Sequence, residues 1–136
     1  MAGHAISSIM PFFIVRDVPA ALAFYRDRLG FEITYQGPPG DIFFGMVSRD
    51  GASIMFKALG VEPVPNFKRQ PAMSWDAYLD VPDPDALAAE FSSRGVTFAE
   101  ALQDRDDGLR GFAVEDRDGY GLYFGRYNPE RDTNLR

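Results

Sequence analysis

Arg49-Asp50-Gly51-Ala52-Ser53-Ile54-Met55-Phe56 and Arg117-Asp118-Gly119-Tyr120-Gly121-Leu122-Tyr123-Phe124 are one phrase written twice, 68 residues apart. Each begins with Asp-Gly, a strong hairpin signal, and runs on into residues suited to a strand. Working outward, Val15-Arg16-Asp17 matches Val81-Pro82-Asp83 at a shift of 66. Leu22 matches Leu87, and Leu29-Gly30-Phe31 matches Arg94-Gly95-Val96, at a shift of 65. An ordered series at nearly constant offset is a tandem repeat, so two like units related by an approximate twofold are expected.

Each unit reads as strand, helix and three strands. Strands are expected over residues 9–16, 31–36, 42–48 and 52–58, then over 75–81, 96–102, 109–115 and 120–126. The helices start at the N-cap candidates Asp17 and Asp83, each followed by proline in the first turn. Val18, Ala21, Leu22, Tyr25 and Leu29 recur at helical spacing, and Gly30 and Gly95 are placed to end the two helices. Residues 37–40, Gly-Pro-Pro-Gly, form a turn; residues 60–73 hold three prolines and read as a loop. Residues 103–108 read as a solvated acidic loop, and the polar stretch from 128 as a frayed tail. The expected organisation is a single domain over 1–136, with modules at 8–58 and 74–126, a linker at 59–73 and a tail at 127–136.

Composition excludes several functions. Net charge is −6, the opposite of a phosphate-binding surface, so no nucleic-acid partner is expected. There are no cysteines, which removes thiolate nucleophiles and cysteine metal sites. The only histidine, His4, precedes the first strand, so neither a nucleophile–His relay nor a two-His metal centre is available. No run of about 18 apolar residues exists to span a membrane. The first residues lack a secretory pattern, so a cytoplasmic location is expected. Aromatic residues make up 14%, including 12 Phe, which predicts an aromatic core or pocket.

Phe13-Ile14-Val15-Arg16-Asp17 and Ala21-Leu22-Ala23-Phe24-Tyr25-Arg26-Asp27-Arg28-Leu29-Gly30-Phe31 resemble the first-module signature of the vicinal oxygen chelate superfamily. This is the superfamily of glyoxalases, bleomycin resistance proteins and extradiol dioxygenases. Glu115-Asp116-Arg117-Asp118-Gly119-Tyr120 resembles its last hairpin. The resemblance implies an α+β fold of two tandem βαβββ modules, a curved mixed sheet around a cavity, helices outside, and a homodimer. In metal-using members, one position on the first strand and one on the last strand of each module supply ligands. Here those positions carry Met10, Asp76, Met55 and Tyr123. Thioethers are soft ligands, and a phenol ionises near pH 10, so a catalytic divalent metal is not expected and no cofactor is implied. A one-residue register error would bring in Ile9, Pro11, Ile54, Phe56, Trp75, Ala77, Leu122 or Phe124, none a carboxylate or imidazole.

The cavity expected from these positions has an apolar, polarisable wall of Met10, Met55 and Tyr123, with Asp76 as its one acid. Strand alternation adds Tyr78, Phe12 and Lys57 and turns Trp75 toward the core. Such a pocket suits a flat molecule bearing a positive group. Simple packing of the methionines, and a backbone partner for Asp76, stand beside that reading. Met10-Pro11 and Ser74-Trp75 are similar to the metal-free, bleomycin-resistance-like branch. The expected function is therefore small-molecule binding without catalysis. The alternatives are an atypical lyase, isomerase or dioxygenase using Asp76 or Tyr123, and an interaction module with a vestigial cavity.

Overall fold

The computed structural model describes residues 3–135. Its elements are β1 (Phe12–Ile14), α1 (Val18–Leu29), β2 (Glu32–Gly37), β3 (Phe44–Arg49), β4 (Ala52–Lys57), α2 (Asn66–Arg69), β5 (Ala77–Asp80), α3 (Pro84–Ser93), β6 (Phe98–Asp104), β7 (Asp107–Glu115) and β8 (Gly121–Asp132). They form two βαβββ modules, as the repeat requires.

Local chemistry sets the helix ends. The Asp17 carboxylate accepts from the Ala20 amide at 3.0 Å, and that of Asp83 accepts from Ala86 at 3.1 Å. Gly30 closes α1 in the left-handed region at φ 72°, its amide bonded to the Tyr25 carbonyl.

The sheets repeat each other. Their strand orders are β1-β4-β3-β2 and β5-β8-β7-β6. The first two strands of each order run parallel and the other neighbours antiparallel. Phe12 pairs with Met55 and Tyr78 with Tyr123, so the sequence offsets of 66 and 68 are also the structural ones. One face of each sheet packs on its helix. Val47, Ile54 and Phe56 meet α1 residues such as Leu22 and Tyr25, while Phe112, Leu122 and Phe124 meet Phe91 of α3 in the same core. Among the described residues, the other face of each sheet carries no helix.

A polar junction ties the modules. Tyr25 donates to Asp116 at 2.7 Å, Tyr120 donates to the Ile14 carbonyl at 2.6 Å, and Phe13 stacks on Tyr120 at 4.1 Å. Arg49 holds Glu90 through two hydrogen bonds of 2.8 and 2.7 Å. Across the pseudo-twofold, Arg28 donates to the Arg94 carbonyl at 3.1 Å and Arg94 to that of Asp27 at 3.3 Å.

Some local expectations change. The loop at 60–73 contains the one-turn α2, whose first amide, Asn66, donates to the Asp76 carboxylate at 2.8 Å. The acidic stretch is a hairpin, because Arg105 bonds Glu100 and Asp107 while Arg110 bonds Asp85 and Asp104. These contacts lower the repulsion that a solvated loop would have relieved. β8 continues past Arg126 to Asp132, which pairs with Asp107. Among the described residues, no helix is long and apolar enough to cross a membrane.

Candidate functional site

The two helix-free faces carry the residues singled out in sequence. On the first sheet, Phe12, Met55, Met46 and Tyr35 stand in one cross-strand row. Phe44 meets Phe12 edge-on at 5.8 Å and Tyr35 at 5.5 Å. Phe12 and Tyr35 are 52% and 54% exposed, so this face is an open apolar patch. Met55 and Lys57 are half-buried within it.

The second sheet uses the same positions differently. Its row is Tyr78, Tyr123, Ala113 and Glu100. Beside Tyr123, Gly111 and Gly125 face each other across β7 and β8. A Cβ at Gly111 would stand 2.8 Å from the Tyr123 hydroxyl, and one at Gly125 would run into the ring at Cε2. The glycine pair is thus a shallow mould in which the phenol ring lies, a use of strand glycine that sequence alone signals only as a weakened strand. Tyr123 is fully buried, with Tyr78 near-parallel to it at 5.9 Å and the Trp75 indole stacked at 3.9 Å. The Arg105 guanidinium caps the indole at 5.1 Å.

Trp75 lies on the Tyr123 side, not in the core as expected. The period-two rule applies inside a strand, and β5 begins only at Ala77. Asp76 also precedes the strand. Its two carboxylate oxygens accept from the amides of Asn66 and Gly121, each at 2.8 Å. It therefore fixes the approach of the chain to β5 and β8, matching the backbone-partner reading.

Met10, Asp76 and Tyr78 line a groove of about 870 Å³ between the modules, with Ile54, Ala77 and Leu79 in its apolar wall. Asp50, Asp80, Asp83 and Glu90 give it an acidic lining. Phe12, Met55, Lys57 and Tyr123 lie outside this groove's lining. The seven sequence-selected residues therefore fall into three places: the first sheet's open face, the second sheet's ring stack, and the groove that Tyr78 links to that stack.

The electrostatics disfavour proton transfer by the phenols. Burial, with Glu100 nearby, pushes Tyr123 up to about 12. Burial and the hydrogen bond to Asp80 do the same for Tyr78, also about 12. Both are neutral donors near pH 7. The resemblance-implied metal does not fit either. Two of its four positions are thioethers, the third is a buried neutral phenol, and the fourth has both oxygens engaged by amides. Among the described residues no three His, Asp or Glu side chains gather as a metal-binding group.

With this geometry in place, known proteins give a consistent picture. The family model described as "Glyoxalase/Bleomycin resistance protein/Dioxygenase superfamily" matches residues 5–124. No curated protein matches significantly. The bleomycin-binding protein from bleomycin-producing Streptomyces verticillus, solved with copper(II)-bleomycin, is 26% identical, with a TM-score of 0.66. The match covers 93% of this chain and 100% of that one. A glyoxalase/bleomycin resistance protein from Catenulispora acidiphila is also 26% identical, covering 89% and 98%, with a TM-score of 0.62. TioX from Micromonospora sp. ML1 shares the fold at a TM-score of 0.71 and 21% identity, covering 90% and 99%.

Proposed function

Because the chain belongs to the glyoxalase/bleomycin resistance protein/dioxygenase superfamily, we propose that it is a metal-independent protein that binds and sequesters a small molecule, in the manner of bleomycin-resistance proteins. Its ligand is a flat aromatic compound with a positive group. The observation that carries this reading is the Tyr78–Tyr123–Trp75 stack beside an acid-lined groove. Flat rings offer stacking area at low entropic cost, and Asp80, whose carboxylate accepts from Tyr78 at 3.1 Å, supplies charge at the accessible end. The chain's net charge of −6 adds a salt-dependent attraction for cations. An acid–base enzyme has weaker support, since the phenols stay neutral and the Asp76 oxygens are held by amides.

The functional unit in this proposal is a cytoplasmic homodimer. The first sheet's open apolar face and the exposed edges of the two sheets, β1 and β5 among them, favour a second copy as the cover. The copy would set Phe12, Met55 and Lys57 opposite the ring stack. Light scattering should give twice the 15.2 kDa chain mass; a monomer at micromolar concentration contradicts the dimer. For the ligand class, the probe is proflavine, a flat aromatic cation. Its addition should raise the melting temperature equally before and after treatment with a chelator. A shift that chelation abolishes would overturn the metal-independent reading.

A further inference from the structure

We propose that Trp75 is a displaceable cover: its indole occupies the stacking place on Tyr123 that a bound aromatic ring takes, so that binding exchanges one ring for another. The inference rests on the stacking function above and adds a specificity-determining residue to it.

The main chain around Trp75 is fixed. Asn66 donates its side-chain amide to the Trp75 carbonyl at 3.1 Å, and the Asp76 carboxylate bridges the Asn66 and Gly121 amides at 2.8 Å each. Gly121 lies so close to Ser74 that a Cβ there would run into its carbonyl oxygen. The indole itself has no such anchor. It is held by the Tyr123 ring at 3.9 Å and the Arg105 guanidinium at 5.1 Å, and its buried Nε1–H has no hydrogen-bond partner among the described residues. A buried donor without an acceptor is costly, and rotation of the side chain into water would relieve it.

The surface under the indole is, by contrast, preformed. Tyr123 lies in the Gly111–Gly125 mould and is fully buried, yet its hydroxyl also has no partner among the described residues. A planar guest that replaces the indole keeps the stack and, if it carries an oxygen acceptor, gives that hydroxyl its missing bond. The guest remains the flat aromatic cation proposed above, and an acceptor oxygen at its edge would add that bond to the stack. Arg105 sets how readily the cover opens, because Glu100 and Asp107 hold its guanidinium over the indole.

The test compares proflavine titrations of the wild type, Trp75→Ala and Tyr123→Ala, followed by dye fluorescence. A cover competes with the guest, so Trp75→Ala should bind roughly three- to tenfold tighter, the equivalent of one aromatic stack. Tyr123→Ala should bind more weakly. Unchanged or weaker binding by Trp75→Ala makes the indole a wall, which overturns the cover and leaves the stacking function standing. Dye binding absent from all three proteins overturns both. Trp75 is the only tryptophan, so its single indole N–H resonance gives a second, ligand-free measurement. Microsecond-to-millisecond exchange that increases in Arg105→Gln is expected. A rigid, solvent-protected resonance in both proteins would overturn the cover.

Discussion

The two helix-free sheet faces occupy equivalent positions and differ in what fills them. Where the first sheet pairs Phe44 with Lys57, the second pairs Gly111 with Gly125. Where the first has Met55 beside Phe12, the second has Tyr123 beside Tyr78. The consequence is geometric. Side chains at 44 and 57 stand up from the first sheet and make an irregular patch with edge-on rings. The glycine pair removes them from the second sheet, and a tyrosine ring can lie down as a flat floor. One scaffold thus yields an adaptable surface and a preformed one. A preformed site loses less ordering entropy on binding, and stacking there is correspondingly favoured.

The hairpins that precede β4 and β8 differ as well, and the largest predicted effect lies there. In cross-strand register Asp116 stands where the first module has Arg49. Burial pushes its carboxyl up to about 6 from an ordinary 3.8, although Tyr25 and the amides of Asp118 and Tyr120 donate to it. The sign follows from the raised value: the folded state holds this proton more tightly than the unfolded state. The contribution is complete below pH about 4 and is lost as pH rises through about 6. Urea denaturation should show wild-type stability falling by up to about 3 kcal/mol over that window relative to Asp116→Asn. Parallel pH profiles for the two proteins would contradict this.

Next in size is the mould. Gly125→Ala forces a Cβ against the Tyr123 ring and should cost about 1–3 kcal/mol, whereas Lys57→Ala at the matching position should stay within about 0.5 kcal/mol. Denaturation midpoints compare them directly, and similar losses would remove the distinction between the faces. Third is the pair Met10 and Asp76, equivalent in the repeat. Asp76→Asn replaces one acceptor oxygen by a donor facing an amide and should lose about 1–2 kcal/mol, while Met10→Leu should lose less than about 0.5 kcal/mol. Equal and small losses would show that the Asp76 bridge has little structural weight.

Much of the fold was legible because a repeat constrains itself. The Asp-Gly turns, the Asp-capped helices and the offsets of 66 and 68 recur, and β-strand register follows from them. The pairing of Phe12 with Met55 and of Tyr78 with Tyr123 is the physical form of that register. The core placement of Trp75 failed because alternation does not govern direction outside a strand. Trp75 and Asp76 both precede β5, and their side chains are set by contacts distant in sequence. The ring stack was hidden for a different reason. Arg105 sits in a stretch read from its acidic neighbours, and its guanidinium reaches Trp75 only once the β6–β7 hairpin has formed. One signal was available: Gly111 and Gly125 each fall inside an expected strand, and strand glycines mark close approach.

The central claim is that the second sheet's ring stack, without a metal, is the ligand-binding surface. Calorimetric titration of metal-stripped protein with proflavine tests it most directly, comparing wild type with Tyr78→Ala. The account predicts saturable binding with one dye per chain, weakened about three- to tenfold in the variant by loss of the accessible ring. Binding that appears only when a divalent metal is restored, or that is the same in both proteins, would contradict it.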